Sequence, residues 1–469
     1  MDFKKIKLKK DLVIKNIRTQ TDDLSLNLSY EGFCVFRECG IPIFVYNLLP
    51  GEEADIEITY YSKKCCFAKV IKYHSYSFLR KKLDYYEEQL YKSGSSPLMA
   101  LEYNNQLKFK QNLVKYLFER NLNYSNISNI VKSPDEFNYR NKITLHVEYS
   151  SNKAIFGFYK QHSHKLIQQE KLLLANSKIN EFYEEFLFNS SNNKNNELNN
   201  FLFDLKPNKI TLRSPNLNSN EIELILGTSR NINQQAIEKL EIWNSKFLDL
   251  KITIFDKKNC KWINLLNHNG IEFKIDDNKF LVKNNTFYQV NESVMYLIYN
   301  KIKEWINTDN LNILDAFGGV GTIGIFVSSK SKNVYTVEVN KTSTQNAIKN
   351  IQINNTSNVV AINADANKWI LENYKKIDLA IFDPSREGLG KETIQAIIQS
   401  NINQIIYLSC DPKTLIRDLK ELTRNDYTIK EVKLYDMFPQ TPHVETLCLL
   451  SKLNTQKHID LELTTDEQK

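Results

Sequence analysis

From about residue 271 to the end, short apolar strand-like runs alternate with helical ones, and this alternation constrains the fold more than any other feature. The runs read NILDAF, NVYTVEV, VVAINA, IDLAIFDP, QIIYLSC, TIKEVKLYD and HVETLCLL. Strands that alternate with helices build βαβ units, so the spacing predicts a mostly parallel, doubly wound sheet. Such sheets bind ligands at the carboxyl ends of their strands, and candidate chemistry is therefore sought there.

The whole chain has 469 residues, enough for about three domains at ~150 residues each. Residues 1–75 alternate apolar runs with turn residues around GIPIFVYNLLPGE, which reads as a small all-β barrel. Residues 76–270 read as a central α+β domain. It opens with a helical linker over 77–120, in which SFLRKKLDYYEEQLYK and NNQLKFKQNLVKYLFERNL are the helices. Asn189 to Asn200, NSSNNKNNELNN, reads as a polar low-complexity loop. The catalytic sheet then occupies 271–469, and the fold class is α/β.

Composition narrows the partners less than the fold. Lys plus Arg minus Asp plus Glu is 62 − 55 = +7, a mild surplus that permits an anionic partner without requiring one. Apolar residues at 42% exclude global disorder. The seven cysteines are an odd number for a disulfide framework and none has a CxxC partner, so neither zinc nor iron–sulfur binding is expected and the metal expectation is none. The basic start lacks an apolar signal core, and no run of ~18 apolar residues could span a bilayer. A soluble, cytoplasmic, monomeric protein is expected.

In LDAFGGVGTIG, Gly319, Gly321 and Gly324 fit G-x-G-x-x-G between a strand and a helix, and Glu338 follows 338 − 319 = 19 residues later. Glycines let the backbone approach a nucleotide, and the acid accepts hydrogen bonds from ribose hydroxyls. This pattern serves nicotinamide and S-adenosyl-L-methionine enzymes alike. Asp383 closes IDLAIFDPSR, where a simple turn is the plain alternative. Cys410 closes QIIYLSC, and Asp411-Pro412 starts a helix whose dipole favours a thiolate. A buried cysteine packed as a small hydrophobe is the competing reading. Glu445 begins the last strand. If that strand is an antiparallel edge, Glu445 and Cys410 share one rim.

FYQVNESV, LDAFGGVGTIG, IFDPSREG, YLSCDPKTLIRDL and DMFPQTPHVETLCLL occur here in the order found in RNA (uracil-5-)methyltransferases, and the chain resembles that family. NYRNK, GFYKQHSH and GIPIFVYNLLPGE resemble the family's central domain and its N-terminal TRAM domain, so the resemblance implies an OB-like β-barrel over residues 1–75. The resemblance implies S-adenosyl-L-methionine as methyl donor, held by Gln289, Phe317, Gly319, Gly321, Glu338 and Asp383. It implies Cys410 as nucleophile toward uracil C6 and Glu445 as general base at C5, with Phe287 against the base. Arg140, Lys142, Lys160 and His164 are candidate RNA contacts, or else solvated surface. A TRAM domain points to 23S ribosomal RNA. Many relatives bind a 4Fe-4S cluster through cysteines, but the matching text here is SGSSPLMALEY with Ser93 and Ser96 at those positions, so no cluster is expected. DAFGG and DPSR also depart from the usual text, and Asp411 beside Cys410 would raise the thiol pKa. The alternatives are a tRNA uracil-C5 enzyme, an RNA cytosine-C5 methyltransferase, and a catalytically silent RNA-binding or assembly factor. A dehydrogenase would have no use for the cysteine in SCDP.

Overall fold

A computed structural model describes residues 8–19, 28–38, 40–150, 153–160, 163–188, 197–215, 219–232, 234–400 and 402–452. Cys39, the first seven residues of the basic start and positions 189–196 of the polar stretch lie outside the described residues. The chain forms two compact units that interleave along the sequence. One takes residues up to Val114, Lys132–His268 and Phe438–His443; the other takes Lys115–Val131, Asn269–Met437 and Val444 onward.

The first unit holds two sheets. Strands β1 (Val13–Arg18), β2 (Cys34–Glu38), β3 (Ile41–Tyr46), β4 (Glu53–Tyr61) and β5 (Cys66–Ser75) pair in the order β1-β4-β5-β3-β2. Alternate residues of β4 are buried, with Ala54, Ile56 and Ile58 inside, as period-two patterning requires. Beside this sheet Glu52 is fully buried; its carboxylate accepts from the Leu49 amide at 2.8 Å and the Arg80 guanidinium at 2.8 Å. That pairing corrects the expected helix over 77–92. Arg80 lies in a non-helical stretch, and the helix spans only Tyr85–Ser93, started by a capping box in which Asp84 and Glu87 satisfy each other's backbone amides.

The second sheet runs β12-β11-β10-β9-β6-β7-β8 and is antiparallel except where β10 pairs with β11. Its strands are β6 (Lys142–Ser150), β7 (Lys153–Tyr159), β8 (Leu166–Gln168), β9 (Lys209–Arg213), β10 (Ile222–Thr228), β11 (Leu250–Asp256) and β12 (Lys261–Asn264). Leu145, Val147, Ile210 and Leu212 pack there with Leu198 and Leu202 of the helix Glu197–Leu205. The last part of the expected polar loop is therefore the first turn of a helix. Leu198 and Leu202, at i and i+4, give it a face to bury.

The second unit carries a hairpin of β13 (Ile271–Ile275) and β14 (Asn278–Val282), and the sheet β17-β16-β15-β18-β19-β21-β20. Strands β15 (Leu311–Ala316), β16 (Ser331–Glu338), β17 (Val359–Asn363), β18 (Leu379–Phe382) and β19 (Gln404–Ser409) are parallel, and the apolar runs of the central β15, β18 and β19 are buried on both faces, whereas β17 at the margin is partly exposed. This is a Rossmann-like α/β arrangement. The last strand differs from expectation: β21 (Glu445–Lys452) is antiparallel but interior, lying between β19 and β20 (Tyr427–Tyr435). Even β20 is partly covered, because Ile127 and Val131 bridge to Val432 and Tyr435, and the Val131 amide donates to Leu434 O at 2.8 Å. Among the described residues no helix is long and apolar enough to cross a membrane.

Candidate active site

Strand β15 delivers the chain into a tight turn. Phe317 adopts φ +61° and Gly321 φ +84°, backbone that a phenylalanine takes only under constraint, and the helix Thr322–Val327 starts immediately after. Beneath the turn Asp315 is fully buried, and its Oδ2 accepts from the Gly324 amide at 3.1 Å and the Thr336 hydroxyl at 3.0 Å. A Cβ on Gly324 would stand 2.3 Å from Thr336 Oγ1, so only glycine lets this helix lie so close to the sheet. Glu338, the end of β16, is tied to the same turn. Its Oε2 accepts from the Gly319 amide at 3.2 Å and its Oε1 from the Asn340 amide at 2.6 Å. Each carboxylate oxygen can accept a further bond, which suits a diol.

Next along the rim is Asp383, one residue beyond β18. Because Ala316 pairs with Phe382, Asp383 follows the strand beside the one that leads into Phe317. Gln289, almost fully buried, donates to the Asp383 carboxyl. Burial and the nearby Asp315 raise Asp383 to about 7, and burial raises Asp315 to about 7 against the pull of its own hydrogen bonds. Asp315 Oδ1 is buried without a hydrogen-bond partner. A rim with these carboxyls and an unsatisfied acceptor fits a cationic ligand, as the sulfonium and α-ammonium of S-adenosylmethionine would be. Gln289, Phe317, Gly319, Gly321, Glu338 and Asp383 would hold that group.

Cys410 and Glu445 meet one step further on. Ser409 pairs with Thr446 across the antiparallel β19–β21 ladder, so Cys410 and Glu445 occupy the next position, outside the last pair. Burial first, and then the nearby Glu445, raise the Cys410 thiol to about 12, with Asp383 and Asp411 adding to the effect and Arg386 opposing it. The expectation of a helix-stabilised thiolate is therefore not met. The helix Pro412–Thr423 does start here, but Asp411 caps it by accepting from the Lys413 amide at 2.8 Å, and burial outweighs the dipole. Glu445 is raised to about 8, first by burial and then by Asp383, again against Arg386. Sequence reasoning passed over Asp315 and Arg386. Both stood in quoted motifs, and their positions next to a glycine turn and just after Asp383 were the available signals.

Phe287 is 62% exposed, free to meet a ligand face. The other candidate RNA residues belong to the first unit. Arg140 stacks over the Tyr139 and Phe438 rings at 5.6 and 5.7 Å. Lys142 pairs in register with the buried Arg213, and burial together with that guanidinium lowers it to about 8. Lys160 and His164 are exposed, with the His164 ring edge-on to Tyr159 at 5.7 Å. In the serine turn, Ser93 Oγ donates to Leu90 O at 2.6 Å, and Ser96 is fully buried. Hydroxyls are hard, weakly acidic ligands and do not fit an iron–sulfur cluster, and among the described residues no cluster of His, Cys, Asp and Glu could hold a metal.

A family model described as tRNA (uracil-5-)-methyltransferase matches residues 102–453. A protein of Caldanaerobacter subterraneus subsp. tengcongensis named as an uncharacterized RNA methyltransferase is 31% identical, over 91% of this chain and 97% of its own. One of the same description from Bacillus cereus (strain ATCC 10987 / NRS 248) is 30% identical, over 91% and 95% respectively. The fold is similar to that of the Pyrococcus abyssi tRNA (uracil-54, C5)-methyltransferase in complex with S-adenosyl-L-homocysteine. The TM-score is 0.67 at 23% identity, covering 93% of this chain and 99% of that one.

Proposed function

The chain belongs to the tRNA (uracil-5-)-methyltransferase family, whose members are S-adenosylmethionine-dependent RNA methyltransferases, and from that premise we propose that it methylates uridine C5 in 23S ribosomal RNA. The observation that carries the chemistry is the juxtaposition of Cys410 and Glu445 at adjoining ends of β19 and β21. A thiol and a carboxyl within one another's field, on the rim that holds the glycine turn, are what covalent addition and later proton removal require.

Carbon 5 of uracil is a weak nucleophile. Cys410 Sγ adds to C6 as its proton passes to solvent, and the C5=C6 electron pair makes the ring an enolate that is nucleophilic at C5. S-adenosylmethionine, when bound, supplies the electrophilic methyl group. Glu445 then takes the C5 proton, the C6–Sγ bond breaks, and Cys410 leaves as thiolate. Gln289 orients Asp383, and Phe287 offers its exposed face to the base, which must leave its stack to reach the rim. The N-terminal sheet serves as a TRAM-like barrel, and with the central sheet and Arg140 and Lys142 it grips the RNA backbone.

The reading is tested by nucleoside mass spectrometry of 23S RNA and tRNA from cells with and without this gene. Loss of 5-methyluridine from 23S RNA alone supports it. Loss from tRNA alone supports the second reading, favoured by the full-length fold similarity to an enzyme described as acting on tRNA uracil 54. Loss of 5-methylcytidine, or no loss, overturns both.

The electrostatics set the pH dependence. Glu445 works as a carboxylate, and with its pKa at about 8 the active fraction grows as pH rises through that value. Arg386 holds both Glu445 and Cys410 lower than burial alone would. Arg386→Gln is expected to move the rising limb of kcat toward alkaline pH by about one unit and to cut the rate at pH 7 about tenfold. A limb that stays in place would exclude Arg386 from this role.

A further inference from the structure

One edge of the β13–β14 hairpin is closed by a helix rather than by a strand. Asn346, Asn350 and Asn354 stand four residues apart on the helix Lys341–Ile353 and its C-terminal cap. Their Oδ1 atoms accept from the backbone amides of Lys283 at 3.1 Å, Leu281 at 2.7 Å and Lys279 at 2.8 Å respectively. Four helical residues rise about 6 Å and two strand residues about 6.7 Å, so the two rows nearly match and the asparagines stand in for a neighbouring strand. Their Nδ2 atoms diverge. Asn354 Nδ2 donates back to Lys279 O at 2.6 Å, and Asn346 Nδ2 donates to Thr342 O of its own helix at 2.8 Å. Asn350, fully buried, instead donates to Val320 O at 3.0 Å, between Gly319 and Gly321 of the tight turn. That turn lies close on the same helix, where a Cβ on Gly321 would stand 3.3 Å from Ala347 Cβ. Beyond β14 the Thr286 hydroxyl donates to Lys283 O at 2.8 Å, closing a turn that leads to Gln289, six residues after Lys283 (289 − 283 = 6).

We propose that Asn350 is a positioning residue for the methyl donor: its side chain ties β14 to the glycine turn, so that the segments carrying Gly319, Gly321 and Gln289 keep the spacing S-adenosylmethionine needs. The inference rests on the reading that puts the donor at this turn. Helix, hairpin and turn all belong to the second unit. Glu338 fixes the turn through the Gly319 amide, and Asn350 fixes the next residue through its carbonyl. Burying a primary amide costs free energy unless its polar atoms are used, and Asn350 uses them on two different segments. Walls held in place beforehand bind more tightly than walls that must be ordered on binding. The coupling is reciprocal: a donor that needs β14 in place also holds it there.

The test uses the full chain, with S-adenosylhomocysteine as the binding probe and S-adenosylmethionine in turnover. Asn350→Asp keeps an acceptor for the Leu281 amide and removes the donor to Val320; Asn354→Asp makes the same change on the rung that returns to Lys279. By calorimetry the Kd for S-adenosylhomocysteine is expected to rise ~10-fold in Asn350→Asp and to stay within about twofold of the parent in Asn354→Asp. In turnover, KM for S-adenosylmethionine should rise by the same ~10-fold, with KM for RNA and kcat at saturating donor within about twofold. An unchanged Kd in Asn350→Asp would overturn the proposal. So would an equal rise in both variants, because a loosened hairpin would then explain it. If Asn350→Asp does not fold, hydrogen exchange on the parent decides. S-adenosylhomocysteine should slow exchange of the Leu281 and Lys283 amides ~10-fold, and exchange indifferent to the ligand would overturn the proposal. Glu338→Ala checks the donor's place separately. An unchanged Kd there removes the premise, whereas a raised Kd there with Asn350→Asp at the parent value defeats the proposal alone.

Discussion

Glu445→Gln is expected to leave the protein covalently joined to its RNA. The variant retains Cys410 and the glycine turn, so addition at C6 and methylation at C5 proceed, and the step lost is removal of the C5 proton. General-base help of this kind is worth ~100- to 10,000-fold, and turnover should fall by that range while an adduct resistant to denaturing gels accumulates. Protein digestion should recover the RNA on the peptide that contains Cys410. Turnover lost without an adduct would sink the assignment. The same substitution has a stability signature. Burial raises Glu445 to about 8, so the native state holds its proton where the unfolded chain has lost it. The stability linked to that proton is complete below the unfolded pKa, near 4.5, and disappears as pH rises through about 8. A neutral glutamine has no such loss, and Glu445→Gln should melt above the parent at pH 9 while differing less at pH 5. Thermal denaturation at the two pH values measures this.

Cys410→Ala should abolish 5-methyluridine formation and adduct formation together. Without a thiol at C6 there is no local route to a nucleophilic C5. The loss should exceed ~10,000-fold, within the millionfold or larger accelerations usual for enzymes. Binding of S-adenosylmethionine, measured by calorimetry, should stay within about threefold of the parent, because the glycine turn, Glu338 and Asp383 belong to other strands. The double variant with Glu445→Gln must form no adduct. Retained methylation in Cys410→Ala would end the covalent mechanism. Because burial and Glu445 push the thiol to about 12, the parent should react slowly with small alkylating reagents at neutral pH.

What the sequence made legible follows from how local each signal is. The central parallel strands β15, β18 and β19 announce themselves because strands buried on both faces read as apolar runs, and the glycine turn because its spacing serves one geometry. Local signals fail where a distant partner decides. Ser77–Asp84 carries a helical pattern, yet Arg80 is engaged by Glu52, 28 residues earlier, and the helix waits for the capping box at Asp84. Glu445 lies next to Cys410 as anticipated from an edge strand, yet β21 is interior, because β20 returns outside it and nothing in HVETLCLL records that pairing. The Cys410 thiol shows the same limit. Its helix and the neighbouring Asp411 were visible, whereas burial and the carboxyls of Glu445 and Asp383, which also raise its pKa, depend on other strands.

The bridges from Ile127 and Val131 to Val432 and Tyr435 also bear on how the chain is made. These partners are separated by 432 − 127 = 305 and 435 − 131 = 304 residues, so the piece that covers the margin of the catalytic sheet is synthesised long before the strand it covers. Pairings this remote in sequence are slow to form. β21, an inner strand, is synthesised after every other strand of its sheet. The nascent sheet therefore cannot close on the ribosome until β21 is out, and a chain stopped before Glu445 would expose the flank of β19 to intermolecular pairing.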